Sequence, residues 1–117
     1  MGYQYNGSAA VGSITVAGTP GLTEVALGYV PAYIEFTVFS GTRVLNRGAW
    51  NSLMADASVH LTTASTGVIT AITSLGVSKI SANTEGKSAG FSLGAAVGLA
   101  DTAADVIHYV AYREAKD

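Results

Sequence analysis

Cysteine is absent from this chain of 117 residues. Its absence excludes disulfides, thiolate metal sites and thiol catalysis together, and leaves stability to packing or assembly. Charge is scarce too: Asp, Glu, Lys and Arg make up 12% of the residues, about half the usual share. Six basic and eight acidic residues give a net charge of −2 with no run of either sign. The clustered Lys or Arg that hold phosphates are missing, so nucleic acid is not an expected partner. The first seven residues, Met1 to Gly7, lack the positive n-region and apolar h-region of a signal peptide, and the first charge is Glu24. Synthesis in the cytosol without export is expected. The charge-free run Ala89 to Ala100 is too short and too Gly-rich to span a bilayer, so no membrane is expected either.

What is present points to a packed core. Hydrophobic residues make up 49% of the chain, and a domain of this length buries roughly two-thirds of the surface its unfolded chain exposes. So few charges cannot cover the remaining surface well, which implies that part of it faces another protein.

The pattern along the chain is that of short strands. Residues 1–9 read as an N-terminal arm, residues 10–113 as a single β domain and residues 114–117 as a charged tail. Ala10 to Ala17 is a strand ended by Gly18-Thr19-Pro20-Gly21. Leu22 to Leu27 follows, and the pattern breaks at Pro31, which cannot donate a ladder hydrogen bond. Ala32 to Ser40 alternates most clearly, with Ile34, Phe36 and Val38 on the side expected to be core. Gly41-Thr42 opens a hairpin into Arg43 to Arg47. Gly48 to Asp56, with the only Trp, reads as a helical turn or a long loop. Ser58 to Thr63, Gly67 to Thr73, Val77 to Ser81 and Phe91 to Leu93 are further short strands, at the roughly ten-residue spacing of a sandwich or barrel.

Ala104 to Arg113 is rich in β-branched and aromatic residues, and neither of its faces is strongly polar, as suits a central strand. From Leu93 onward, Ala96, Val97, Ala100, Ala104 and Ile107 also fit a helical spacing. The strand is preferred because Gly94 and Gly98 weaken a helix. The expected fold is all-β, an antiparallel β-sandwich or jelly-roll-like domain.

No constellation carries chemistry. Gly86-Lys87-Ser88-Ala89-Gly90 has the form of a nucleophile elbow, followed by Asp101 or Asp105 and then His108, but the chain is too short for the parallel sheet that motif requires. The same Gly86-Lys87-Ser88 resembles the end of a P-loop, with Ser81 where the first Gly belongs. His60 and His108 are too few for a zinc site, Asp101 and Asp105 too few for calcium, and the spacing of Glu24, Glu35 and Asp56 selects no acid pair. The chain is expected not to be an enzyme, with no catalytic residue, cofactor or metal. Phe36 and one of Tyr109 or Tyr112 are expected in the core. Tyr3, Tyr5 and Trp50, in non-periodic stretches, are the candidate protein-interface residues.

Four blocks in order, Gly28 to Phe36, Trp50 with Met54, Gly90 to Gly94 and Val106 to Tyr112, give the chain a likeness to small tailed-phage virion proteins of the capsid decoration (head cement) type. The resemblance implies a β-sandwich bound to the outer surface of the major capsid protein, often as a homotrimer, and located on the virion. The Ala-rich stretch Ala95 to Ala104 departs from that pattern, and no functional residue is carried over. The alternative from another class is a receptor- or carbohydrate-binding module of a phage tail fibre, with Trp50 stacking on sugar rings.

Overall fold

The computed structural model describes residues 9–19, 21–81 and 89–113. The arm residues 1–8, the tail 114–117 and most of the stretch around Ser88 lie outside the described residues. Among those described, the chain is all-β and antiparallel: β1 Ala9–Thr15, β2 Thr23–Ala26, β3 Pro31–Ser40, β4 Arg43–Asn51, β5 Ser58–Thr63, β6 Ile69–Ile80, β7 Gly90–Leu93 and β8 Val106–Arg113. Ala9, read as part of the arm, is the first residue of β1. Pro31 opens β3, a position where a missing N–H is tolerated. Gly41 takes a φ of 63° in the two-residue turn that pairs Ser40 with Arg43, the left-handed backbone such hairpins require.

The strands form one hydrogen-bonded sheet in the order β1-β8-β3-β4-β5-β6-β7-β2. Where a sandwich has two separate sheets, this single sheet folds over on itself. The fold occurs at β6, which changes partner along its length: Ile69–Ile72 pair with β5 and Val77–Ile80 pair with β7. Gly67 to Thr73 and Val77 to Ser81, read as two strands, are therefore two arms of one interrupted strand. Between them Leu75 takes a φ of 60°, and Gly76 packs so closely on the Ser58 backbone that a Cβ could not fit. The Gly76 N–H donates to the Ala57 carbonyl at 3.1 Å, and its own carbonyl accepts from Gly94 at 2.9 Å.

The core lies inside the fold. Ile34, Phe36 and Val38 of β3, Val59 and Leu61 of β5, Phe91 and Leu93 of β7 and Ile107 and Ala111 of β8 are all buried. The connection from β7 to β8 closes the open side, burying Ala96, Leu99 and Ala100. Asn46 fixes this segment by donating from Nδ2 to the Gly98 carbonyl at 2.8 Å. The helix that its alanines permit does not form.

Gly48 to Asn51 continues β4, where a helical turn or loop was expected. The alternation there is hidden because Gly48 sits at a core position without a side chain. A Cβ at Gly48 would strike Leu61, so Phe36 and Leu61 fill the space instead. Two residues on, Trp50 falls on the same face and is fully buried.

Candidate functional site: the open face of the sheet

Strand register decides what the solvent side of the sheet presents. Reading across β1, β8, β3, β4, β5 and β6, one row is Val11, Val110, Glu35, Ala49, His60 and Ala71, and the next is Ser13, His108, Thr37, Arg47, Thr62 and Ile69. Paired residues share a face, so these rows lie side by side on the surface opposite Phe36 and Ile107. All of them except Ala71 line an open trough of about 870 Å³. Apolar, hydroxyl and ionisable side chains alternate across it.

The aromatic groups of this face sit toward both ends of β3, Tyr33 beside Tyr112 at one and Phe39 beside Val106 and His108 at the other. Tyr33 and Tyr112 pack with ring centroids 5.9 Å apart, and the Tyr33 hydroxyl donates to Glu35 Oε2 at 3.2 Å. Burial, and then the Glu35 carboxylate, push the Tyr33 phenol above its ordinary value. His108 stacks at a tilt on Phe39, with centroids 4.7 Å apart. At the top of β8 the Arg113 guanidinium lies 5.0 Å from the centroid of Tyr29, whose hydroxyl donates to the Ala111 carbonyl at 2.7 Å.

The surface can bind a partner over many small contacts, but its polar groups do not converge on one reacting atom. Among the described residues no three of His, Asp and Glu gather where a metal ion could sit. His108 is exposed while Asp105 is buried, and Gly90, at the end of the elbow-like motif, leads into the strand β7 rather than a helix. Large apolar side chains are nonetheless on show, among them Val11 at 77% exposure, Ile69 at 70%, Leu53 at 96% and Val97 at 81%.

Of the three interface candidates read from the sequence, Tyr3 and Tyr5 lie outside the described residues. Trp50 is corrected: it is a core residue, its indole Nε1 donating inward to the Ala55 carbonyl at 3.4 Å. Phe36 is in the core as expected, and Tyr109 packs against it. The residues missed are Val11 and Ile69. Period-two counting could have found Val11, which is an odd number of residues from Ile14 and so points away from it.

No family model, curated protein or solved structure matches this chain.

Proposed function

We propose that this chain is a structural protein of a phage virion, a capsid decoration protein that binds the outer surface of the major capsid protein and stabilises the head. One observation carries the reading: a wide, shallow sheet face and several strongly exposed apolar side chains on a chain with only 12% charged residues. Such a surface suits extended contact with neighbouring subunits, where modest contacts add across many copies. The trough is open, as docking on a broad protein surface requires. The carbohydrate-binding alternative loses its main support, because Trp50 offers no ring to a sugar.

The test is the copy number and position of the protein on purified particles, by quantitative mass spectrometry and cryo-electron microscopy. Occupancy of many equivalent shell positions supports decoration. A few copies at the tail, or none on the particle, overturns it. Arg47→Glu, on the open face, should lower binding of the purified protein to heads that lack it, with the fold unchanged.

A further inference from the structure

Among the described residues the sheet ends on two strands with unequal protection. β2, at one end, is four residues long and carries Glu24. β1, at the other, is seven residues long, Ala-Ala-Val-Gly-Ser-Ile-Thr, with no charge, no proline and no bulge in its pairing with β8. Edge strands that stay unpaired are normally shortened, charged, kinked or covered, because their free N–H and C=O groups recruit another strand. β1 has none of the first three.

The hydrogen-bond parity of β1 is set at its end. Val16 donates its N–H to the Asp105 carbonyl at 2.9 Å. Bonded and non-bonded positions alternate along an antiparallel ladder, so Ile14, Gly12 and Ala10 turn their backbone groups toward β8. Thr15, Ser13, Val11 and Ala9 turn theirs to the rim.

We propose that the rim of β1 is the contact between two copies of this chain, which pair antiparallel through it and run their sheets together across a two-fold axis. The axis passes through Gly12, the midpoint of the strand, because only that register pairs all seven residues. Parity agrees, since Val11 then meets Ser13 of the second copy with their rim-facing groups bonded, and Gly12 meets Gly12 at a non-bonded position. Apart from Gly12 on Gly12, each cross-strand pair sets a larger side chain against a smaller one, Ala9 against Thr15, Ala10 against Ile14 and Val11 against Ser13, and no charge meets a like charge. On the core side the Tyr109 ring lies over Gly12, where a Cβ would stand only 2.5 Å from its hydroxyl oxygen. The proposal concerns free protein and stands apart from any docking on a shell.

Sedimentation velocity of the full chain, with no capsid present, tests it. The wild type should sediment as a dimer. Ser13→Pro removes a rim-facing N–H while keeping every bond to β8, and should sediment as a monomer with an unchanged circular dichroism spectrum. Because the chain has no cysteine, Val11→Cys mixed with Ser13→Cys should cross-link on mild oxidation into a mixed dimer, in better yield than either variant alone. A monomeric or trimeric wild type overturns the proposal. So does a dimer that survives Ser13→Pro, or an absence of mixed cross-links should that variant fail to fold.

Discussion

Phe91 and Tyr109 meet edge to face with ring centroids 5.3 Å apart, although their strands β7 and β8 are five places apart in the sheet. A flat sheet would hold them roughly 24 Å apart at the ordinary strand spacing. Phe36 closes the group, its ring 6.2 Å from that of Phe91. This cluster holds the two ends of the curl together. Phe91→Ala should therefore cost about 3–5 kcal/mol in urea unfolding. A double-mutant cycle of Phe91→Leu with Tyr109→Leu should return a coupling of about 0.5–1.5 kcal/mol, and none would mean that the curl does not depend on the pair.

Trp50 provides a second check, because its burial separates a core role from a binding role. Its fluorescence should be blue-shifted in the folded protein and move to the red on unfolding. Trp50→Ala should cost about 3–5 kcal/mol, with Trp50→Phe losing less, measured as the shift in denaturation midpoint.

Two glycines differ sharply in what surrounds them. A Cβ at Gly90 would collide with the Val25 carbonyl, a backbone group that cannot turn aside, whereas Gly18 faces open space with no left-handed backbone. Gly90→Ala should part β2 from β7 and lower stability by about 3 kcal/mol or more. Gly18→Ala should raise it by about 0.4–1 kcal/mol by restricting the unfolded chain. Thermal denaturation of the two variants decides.

Stability should fall at alkaline pH. Burial raises the Tyr29 phenol above 10.0, against the opposing pull of Arg113 and with a further rise from Tyr109. Burial also raises Tyr109, and burial with Glu35 raises Tyr33. The folded protein thus keeps these protons to higher pH than the unfolded chain does. The stabilisation is complete below the ordinary value and is lost as pH rises through the folded values. A urea midpoint that declines above about pH 10, and declines less in Tyr29→Phe, is the expected result.

Much of the core was legible in order along the chain. The alternation of Ile34, Phe36 and Val38 identified the buried face of β3, and the run from Val106 to Tyr112 identified a central strand, now seen between β1 and β3. Trp50 was not legible, because Gly48 contributes nothing to a hydropathy pattern and broke the alternation that Trp50 completes. The open face was harder still, since its rows join residues from six strands and no local pattern records register.

The sequence alone determined that the chain is all-β, that Gly41-Thr42 turns one strand into the next and which side chains of β3 are buried, because period-two alternation and Gly and Pro dihedrals act over a few residues. Only the tertiary structure decided that β6 serves two neighbours, that one sheet curls to bring Phe91 onto Tyr109, and that Val11 and Ile69 reach solvent while Trp50 does not. Those outcomes depend on contacts between distant strands, whose pairing is chosen by the packing of the whole core rather than by any one stretch.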